Sequence, residues 1–561
     1  MTGKKLIAML SFLLVSMQVV FSQAAFTFGG GEVEQRLRTD VFTLASDEMQ
    51  GRESGTEGEE LAARFIQSRM QEIGLQPLFN GSFIQEFEFY GSWTLGEDNL
   101  LMINEQEFVL QKDFFVLPNA SNATVHAEAV YVGFGLEPDR FADDVEHGPV
   151  EGKILFMEYF LPEELDDRSV PQTAEVIRNK VDRAESLGAR GVIFVNTRSW
   201  RNDPSTRLSQ NLGSAGIPVL FARSEVLEYW QQSGENSMVL LSVEKDRPVF
   251  TSMNVAGYLD NQARYTVVVG GHFDHLGVGR AGSRSPGSNQ IHPGADDNAS
   301  GVAGVLETAR YIAQSGLTNY NYIFIAFGAE EKGLLGSRHF VDSDAYDMVK
   351  INYMFNFDMI GRKTNGSLTL IGTGTSPVWN DLIDRLERPG LNIAKSASGM
   401  GGSDHTSFYM KNIPVIFFFT GIHDDYHRPS DTPEKINFEG MQQILSFGYD
   451  MIAELNGMDR LAFSETPLTR RGAQRRSEGV TLGLMPDHAF DGPGLKVLAV
   501  VEDRPAQRAG IRAGDIILQI GDDEISDIQT YMTALGNLKA NQTVVVVIIR
   551  EGSTQRLEFN L

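Results

Sequence analysis

The chain has 561 residues, a formal net charge of -26 at pH 7, 42% hydrophobic and 10% aromatic residues, and no cysteine. This length exceeds what one hydrophobic core organises, so several domains are expected, and the composition is that of a folded globular protein. The acidity argues against nucleic acid or an anionic membrane as a partner, because binding phosphate needs a basic face. Without cysteine, neither disulfides nor a lipoprotein anchor can form, so stability must come from packing or bound metal.

Residues 1–24 have the pattern of a secretory signal peptide. Lys4 and Lys5 precede the apolar run LIAMLSFLLVSMQVVF, and the small residues Ser22 and Ala24 stand where a signal peptidase reads. A membrane span usually needs ~20 apolar residues and a stop-transfer flank, which this run lacks, so a retained anchor is the weaker alternative. The pattern predicts an exported protein, periplasmic or extracellular, with no stable membrane span once the signal is removed.

Residues 25–121 are predicted to form the N-terminal part of the main domain. The stretch TEGEELAARFIQSRMQEIGL predicts a helix, with Thr56 and Glu59 as a capping-box pair and Gly74 as the C-cap. Residues 122–248 change to short strands and turns, including AVYVGFGL, GKILFMEYF, GVIFVNT and IPVLFA. This texture predicts a β-rich insert.

Residues 249–458 alternate apolar strands with helices. The strands are YTVVVGG, NYIFIAFG, INYMFNFDM and PVIFFFT, and the helix VAGVLETARYIAQ follows the first of them. This alternation predicts an α/β fold with a mixed, largely parallel, buried sheet flanked by helices. Residues 459–478 are rich in arginine and turn formers and are predicted to be a linker, and residues 479–561 are long enough for one small domain.

Candidate metal ligands follow the apolar strands of residues 249–458. In chain order they are His272, Asp297, Glu330, Glu331, Asp358 and His427. Because ligands bind in the crevice at the carboxyl ends of the strands in open α/β sheets, we expect these side chains to share one rim.

The donor set contains two histidines and three or four carboxylates, and no thiolate. This mixture favours zinc in an open catalytic site, with cobalt or manganese as alternatives. Two metals about 3.5–4 Å apart that share one carboxylate need about five protein ligands. His272, Asp297, Glu331, Asp358 and His427 supply five.

Glu330 and Glu331 are adjacent, and neighbouring side chains on an extended backbone point to opposite sides. Strand geometry therefore predicts different roles for the two carboxylates. Asp274, two residues after His272, is predicted to accept the N–H of that imidazole that does not face the metal. The remaining histidines of the region, His275, His292, His339 and His423, are interpreted as surface or core residues.

Five strings of this region together resemble the di-zinc aminopeptidase family, whose relatives include glutamate carboxypeptidases and glutaminyl cyclases. They are GGHFDHLG, GADDNASG, FGAEEKGLLGS, NFDMIG and DYHRPSDT, and LASDEMQGRESGTEGEE near residue 50 is similar to the family's N-terminal segment. The resemblance covers residues 250–458 in order and implies the zinc exopeptidase fold.

The resemblance also implies roles. His272 and Asp358 would hold one zinc, Glu331 and His427 the other, and Asp297 would bridge them, with a cis peptide bond after it. Glu330 would be the general base that takes a proton from the bridging water. Three further residues match family strings, namely Tyr426 as a group that stabilises the oxyanion, and Asp404 and His405 as residues behind the ligands or in the pocket.

Two other segments resemble known modules. Residues 122–248 are similar to a protease-associated domain, and residues 479–561 are similar to a PDZ domain, through VTLGLM and DRPAQRAGIRAGDIILQIGDDEI. The PDZ resemblance implies that Leu482, Gly483 and Leu484 form a loop whose backbone N–H groups bind a peptide's terminal carboxylate.

These observations favour a secreted metallo-aminopeptidase with two zinc ions per chain, acting on peptides with free N-termini, with a peptide or protein ligand at the PDZ domain. A carboxypeptidase of the same fold would need a cationic pocket from Arg280, Arg284 or Arg362. A glutaminyl cyclase-like transferase is disfavoured because the five-ligand set suggests two metals, and an inactive peptide-binding protein would have no need of Glu330.

Overall fold

A computed structural model describes residues 30–560 apart from several gaps. The gaps are 92, 136–149, 163–173, 199–202, 205–214, 235–236, 281, 286, 365, 467–481, 487–489, 491–493, 501–503, 522, 526–529, 532–533, 536–537 and 539–541. The predicted signal peptide and residues 467–478 of the predicted linker lie outside the described residues. Among the helices that are described, none is long and apolar enough to cross a membrane.

The described elements fall into four groups along the chain. The N-terminal segment contains α1 (Gly31–Leu44), α2 (Glu57–Ile73), β1 (Gln76–Pro77) and β2 (Ile84–Tyr90). The insert contains β3 (Thr94–Leu95), β4 (Leu100–Ile103), β5 (Gln106–Phe108), β6 (Phe114–Val116), β7 (Ala123–Tyr131), β8 (Ile154–Glu158), α3 (Ala174–Ser186), β9 (Gly191–Val195), β10 (Val219–Ala222), α4 (Ser224–Ser233), β11 (Met238–Val243) and β12 (Lys245–Asp246).

The main α/β region continues with β13 (Val249–Leu259), β14 (Thr266–His272), α5 (Gly301–Ser315), β15 (Asn321–Phe327), α6 (Leu335–Asp342), β16 (Ile351–Phe357), β17 (Ser367–Ile371), α7 (Val378–Leu386), β18 (Asn392–Ser396), α8 (His405–Tyr409), β19 (Val415–Phe419) and α9 (Phe438–Leu455). The C-terminal domain contains β20 (Leu484–Pro486), β21 (Leu495–Val500), α10 (Pro505–Arg508), β22 (Ile516–Ile520), β23 (Asp523–Glu524), β24 (Thr543–Arg550) and β25 (Ser553–Asn560).

The main domain is built on one mixed sheet in the order β1-β13-β15-β14-β16-β19-β17-β18, with β2 also paired to β13. Its centre is parallel, because β14 runs parallel to both β15 and β16, and β16 runs parallel to β19. Its flanks are antiparallel where β13 meets β15 and where β17 meets β19. The prediction of a mixed, largely parallel α/β sheet is confirmed.

Both faces of this sheet are covered, which explains why its strands read as unbroken apolar runs. Val267 and Val269 of β14 point into the core formed with α1, α2, α5 and α9. Val268, between them, points into the opposite core, to which α6 and α8 contribute. Since successive residues of a strand face opposite sides, a strand buried on both faces must be apolar throughout.

The insert forms a second sheet in the order β5-β4-β11-β7-β8-β9-β10-β6. Its four central strands β7, β8, β9 and β10 are parallel neighbours. The boundary predicted at residue 122 is wrong, because β4 pairs with β11 and β6 pairs with β10, which places Leu100–Val116 in the insert. Strand β6 covers the outer edge of β10, and β4 extends the sheet beyond β11, which pairs with β7.

Two further sequence predictions need correction. Helix α2 has the predicted bounds and ends at Gly74 in the left-handed region, but Thr56 makes no side-chain cap. Glu59 accepts instead from the backbone N–H of Gly55, at 2.6 Å. The predicted linker also begins too early, because Leu461 is buried in the main core and its N–H donates to Asn352.

Candidate metal centre

The predicted site residues meet at the carboxyl ends of the central parallel strands. His272 is the last residue of β14, and Asp358 directly follows β16. Asp297 lies in the irregular turn Ala295–Ser300 that leads into α5, and its peptide bond to Asn298 is cis. Parallel pairing of β14 with β16 brings these three side chains to one rim.

Asp297 lies between two imidazoles. Its Oδ1 is 3.3 Å from Nε2 of His272, and its Oδ2 is 3.2 Å from Nε2 of His427. Two further carboxylates extend this arrangement, since Asp358 Oδ1 is 3.3 Å from His272 Nε2 and Glu331 Oε2 is 3.3 Å from His427 Nε2. The five predicted ligands therefore form two clusters joined by Asp297.

These separations fit a shared cation better than direct hydrogen bonds. An N–H···O bond is usually 2.9–3.0 Å long. Ligand atoms at ~2.0–2.1 Å from a tetrahedral zinc are about 3.3 Å from one another, which follows from the tetrahedral angle. The four imidazole–carboxylate distances of 3.2–3.3 Å match that edge. The donor types, imidazole nitrogen and carboxylate oxygen, are also those that zinc accepts.

The outward nitrogens of both imidazoles are held by backbone carbonyls. Nδ1 of His272 is 3.2 Å from the carbonyl oxygen of Asp274, and Nδ1 of His427 is 2.9 Å from that of Gly282. With Nδ1 donating its hydrogen, each Nε2 carries the lone pair that a metal requires. The carbonyl of Asp274 is thus the nearer acceptor for this N–H, and the Asp274 carboxylate, which was predicted to accept it, lies 3.7 Å away.

The Asp274 carboxylate instead supports the two glutamates. It accepts the backbone N–H of Glu330 at 2.9 Å and that of Glu331 at 3.3 Å, and the hydroxyl of Ser54 donates to it at 2.9 Å. Asp274 is fully buried. It therefore holds the turn from which both glutamate side chains extend.

The glutamates diverge through a turn and not through strand alternation. Strand β15 ends at Phe327, and Ala329 adopts a left-handed conformation with φ of 53°. The carbonyl of Glu330 accepts the N–H groups of Gly333 and Leu334, which closes the turn. The two side chains have different surroundings, but the strand alternation predicted to separate them is wrong.

The site concentrates negative charge in a buried place. Burial is the largest influence on the pKa of Glu330 and, with neighbouring Glu331 and Asp358, raises it well above the ordinary value. Burial opposes ionisation of Glu331 as well, yet the adjacent imidazoles of His275 and His427 lower its pKa to about 2. A cluster of buried carboxylates favours the binding of cations, because buried like charges are costly unless they are compensated.

The pKa values of the two histidines are raised. Burial would lower the pKa of His427, but the neighbouring carboxylates of Asp297 and Glu331 outweigh it and raise the pKa to about 11. Burial likewise opposes charge on His272, and nearby Glu330 and Asp358 raise its pKa well above the ordinary value. Without a metal, the imidazoles are thus the counter-charges of the site.

Tyr426 stacks on the imidazole of His427, with ring centroids 3.8 Å apart and an interplanar angle of 25°. Burial, followed by the charges of Asp297 and Glu331, raises the pKa of its phenol. A phenol that stays protonated can only act as a hydrogen-bond donor or acceptor here. The structure therefore places Tyr426 beside the site as a neutral group.

Asp404 and His405 are fully buried at the start of α8. Burial raises the pKa of Asp404 to about 7 and lowers that of His405 to about 3, which favours the neutral form of each. His405 stacks on Phe417 at 4.7 Å, and its ring nitrogens have no hydrogen-bond partner in the part of the chain that the structure describes. Asp404 acts electrostatically on Glu330 and His272, so it lies closer to the chemistry than His405 does.

Sequence reasoning missed two residues at the site. His275, interpreted as an ordinary histidine, is fully buried, and its Nδ1 lies 2.8 Å from Oε1 of Glu331. Arg52 is also fully buried and donates hydrogen bonds to four backbone carbonyls, those of Leu44, Phe273, Pro293 and Gly294. The string HFDH contained a signal for His275, but nothing in the sequence indicates that Arg52 reaches the segment before Asp297.

The predicted PDZ loop is described at all three positions. Leu482 is buried in the C-terminal core, and its carbonyl accepts the N–H of Ala506. Gly483 is left-handed with φ of 75°, and Leu484 begins β20. The backbone leads from a buried anchor into the sheet, as a carboxylate-binding loop requires.

Fold and donor set together define a metallopeptidase-type α/β domain. Residues 254–449 match the profile of Peptidase family M28, and residues 472–561 match that of the PDZ domain. The chain thus contains a peptidase family M28 domain followed by a PDZ domain.

Two curated relatives are aminopeptidases. The chain is 31% identical over 278 residues to aminopeptidase YwaD of Bacillus subtilis, which covers 47% of this chain and 56% of that protein. It is 26% identical over 391 residues to an aminopeptidase of Pseudomonas aeruginosa, covering 66% of this chain and 67% of that protein. The chain thus spans little more than half of the first relative and two thirds of the second.

A solved aminopeptidase from Aneurinibacillus sp. strain AM-1 is also similar. It is 24% identical with a TM-score of 0.41, and the match covers 79% of this chain and 98% of that one.

Proposed function

We propose that this chain is an exported zinc aminopeptidase that hydrolyses N-terminal residues from peptides with a free α-amine. The observation that carries the proposal is the position of Asp297, whose two oxygens face Nε2 of His272 and Nε2 of His427 at 3.3 and 3.2 Å. The aminopeptidase names of the relatives support the reaction, and the pattern of residues 1–24 supports export.

In the proposed centre His272 and Asp358 would hold one zinc, Glu331 and His427 would hold the other, and Asp297 would contribute to both sites. Bound zinc would supply a Lewis acid that lowers the pKa of a water and polarises the scissile carbonyl. Glu330 lies within electrostatic reach of His272 and Asp358 and is not part of either imidazole–carboxylate cluster. It is therefore free to exchange protons.

Glu330 acts as the general base in this proposal. Its carboxylate would take one proton from the attacking water while the water oxygen bonds to the scissile carbonyl carbon. The C–N bond would then break, and the same proton would pass to the leaving amine. The phenol of Tyr426 stays protonated beside His427 and can donate a hydrogen bond to the oxyanion. The protein thus divides the work between two adjacent glutamates, of which one binds metal and one moves the proton.

The carboxypeptidase alternative depends on a free cationic side chain near the site. Arg362 is engaged, because its Nη2 is 2.9 Å from Asp425 and its Nη1 is 3.7 Å from Asp431. Arg284 is the remaining candidate at the site, since its guanidinium lies over the ring of Tyr426 at 5.7 Å. Arg280 is exposed. A guanidinium that stacks on a tyrosine ring makes a packing contact. This arrangement does not favour a dedicated pocket for the terminal carboxylate of a substrate.

For the C-terminal domain, we propose that the backbone N–H groups of Leu482, Gly483 and Leu484 bind a peptide's terminal carboxylate beside β20. The left-handed turn at Gly483 supports this role. Such binding would bring a peptide or protein to the enzyme without contributing to the chemistry.

The test combines metal analysis with paired substrates. Purified protein should contain close to two zinc ions per chain and should cleave aminoacyl reporter amides, and a chelator should abolish the activity until zinc is returned. The matched substrates are the same reporters with an acetylated α-amine and acetylated peptides with a free C-terminus. Turnover of either acetylated set at the rate of the free amines would end the aminopeptidase proposal.

A further inference from the structure

His275 is the third imidazole of the site, and it contacts a ligand without belonging to the predicted set. Its Nδ1 is 2.8 Å from Oε1 of Glu331, while the other oxygen of Glu331, Oε2, is 3.3 Å from Nε2 of His427. The two oxygens of one carboxylate thus face two different histidines. His275, Asp297 and Glu331 also lie close enough together to be considered as a metal-binding group.

The two distances separate the roles of the two histidines. A separation of 3.3 Å matches two ligands on one zinc, whereas 2.8 Å is shorter than that edge and is an ordinary N–H···O distance. His275 therefore donates a hydrogen bond to Glu331, whereas His427 is placed where it could share a cation with Glu331. A histidine donor of this kind orients a ligating carboxylate and reduces its negative charge.

The backbone fixes His275 from two sides. Its N–H donates to the carbonyl of Arg52 at 3.0 Å, and Gly294 packs against its ring so closely that a Cβ there would be 2.6 Å from Cδ2. Arg52 is itself held by carbonyls of both Phe273 and Gly294. The ring cannot turn or withdraw without moving the segment that carries Asp297.

An imidazole at position 275 also reduces the stability of the folded chain. His275 is fully buried, and its Nε2 has no hydrogen-bond partner among the residues that the structure describes. A buried polar atom without a partner costs about 1–3 kcal/mol. A core histidine would be replaceable by an apolar residue, so the contact with Glu331 is what gives the imidazole its use.

We propose that His275 is a positioning residue for Glu331, and that the hydrogen bond from its Nδ1 sets the zinc affinity of the Glu331–His427 side of the centre alone. On the His272–Asp358 side, the side chain that donates to the carboxylate is the hydroxyl of Ser403 and not an imidazole. Each side then has its own donor, and loss of the His275 imidazole should affect only the side that contains Glu331. This inference rests on the proposed two-zinc centre.

The experiment is a zinc titration of the metal-free full chain against a competing chelator. Wild type should bind two zinc ions in resolvable steps. His275→Ala should weaken one step by about 10–100-fold and leave the other within about threefold, because loss of a group behind a ligand has effects of that size. Activity should return to near the wild-type level at saturating zinc.

Two conservative variants separate positioning from packing. In His275→Asn the amide nitrogen sits near the place of Nδ1, so this variant should recover most of the lost affinity, whereas His275→Gln should recover little. His339→Asn is the matched control, because His339 stacks on Phe87 away from the site. Melting of the metal-free variants shows whether each one folds.

Equal weakening of both steps, unchanged affinity in His275→Ala, or failure of His275→Asn to recover any affinity would overturn the inference. Loss of one whole zinc in His275→Asn would overturn it too, since His275 would then be a ligand. If wild type binds fewer than two zinc ions or cleaves no free-amine substrate, the proposed function fails instead. The two failures are therefore distinguishable.

Discussion

Asp274 and Glu330 are joined by a hydrogen bond of 2.9 Å, in which the backbone N–H of Glu330 donates to the buried carboxylate of Asp274. The same carboxylate accepts from Glu331 and Ser54. Three donors converging on one acidic side chain make the turn of the glutamates dependent on Asp274, although Asp274 has no place in the chemistry.

Asp274→Asn should therefore damage the site without touching a ligand. The asparagine NH₂ would face a backbone N–H, leaving buried donors unpaired at a cost of about 2–4 kcal/mol. Zinc affinity should fall about 10–100-fold. Chemical denaturation of the metal-free protein and a zinc titration measure the two effects. Ser54→Ala removes one donor and keeps the carboxylate, so it should cost only about 1 kcal/mol; equal losses in the two variants would contradict this account.

Glu330→Gln and Glu331→Gln should separate the two adjacent carboxylates. Glu330→Gln should keep its zinc and lose about 10²–10⁴-fold in kcat, because general-base catalysis contributes effects of that size. Glu331→Gln should bind less zinc, because a carboxylate ligand is lost. Metal analysis and steady-state kinetics on one preparation of each variant measure both effects. A fully loaded Glu331→Gln or a fully active Glu330→Gln would refute the respective assignment.

Arg52→Met should lower the free energy of unfolding of the main domain, so that this domain unfolds at a lower denaturant concentration. The buried guanidinium donates to carbonyls of Leu44, Phe273, Pro293 and Gly294, and methionine would leave them without these partners. Since each buried polar group left unpaired costs about 1–3 kcal/mol, the total should reach at least about 4 kcal/mol. The control is Arg64→Met on the exposed face of α2, which should change stability by less than about 1 kcal/mol. Similar unfolding of both variants would show that burial of Arg52 is unimportant.

Ionisation of Glu59 should lower the stability of the fold as the pH rises from about 4.5 to about 8. Burial raises its pKa from 4.5 to about 8, so the neutral acid is favoured in the folded state. That contribution is complete below the unfolded pKa of 4.5 and is lost as the pH rises through about 8.

Glu59→Gln keeps a donor and an acceptor for Ser252 and Gly55 but cannot ionise, so its Tm should decline less than the wild-type Tm between pH 6 and 9. Glu60→Gln, exposed on the same helix, should follow wild type. Melting curves of metal-free protein across this range provide the test. Parallel declines for wild type and Glu59→Gln would rule out ionisation of Glu59 as the cause.

Gly483→Ala should disable the PDZ loop and spare the peptidase. Its φ of 75° strains any side chain, and a Cβ would lie 2.2 Å from Cβ of Arg504. Gly552→Ala is the matched control, since Gly552 has a similar φ of 78° and a Cβ added there would meet no described atom within 4 Å. Binding to immobilised peptides with free C-terminal carboxylates should vanish in the first variant alone. Cleavage of single aminoacyl reporters should be unchanged in both, and a fall in that activity would argue against a separate role.

The sequence was most informative where local pattern and burial coincide. Strand β14 is apolar at every position because both of its faces are covered, and His272 stands at its end where the parallel sheet opens. The ends of these strands could therefore be predicted to form one rim of the sheet. Long-range contacts could not be predicted in this way. Arg52 and His275 come together only in the folded chain, and neither their spacing nor their neighbouring residues indicate that contact.

The errors have physical causes of the same kind. Glu59 stands at the capping-box position of α2, but tertiary contacts turn its carboxyl toward Ser252 and Gly55. Leu461 sits in a segment without apolar periodicity and is nevertheless buried by the strand it adjoins. Both cases show tertiary contacts overriding a local signal.

The chain leaves the main sheet for the insert and returns from it at one pair of adjacent strands, β2 and β13. Tyr90 at the end of β2 and Val249 at the start of β13 are register partners, and the next residue, Gly91, donates its N–H to the carbonyl of Pro248. A module whose two ends meet in one antiparallel pair can be exchanged or deleted by closing a hairpin, without rethreading the rest of the chain. The same antiparallel pair offers protein engineers a place to graft a different module while the main sheet stays intact.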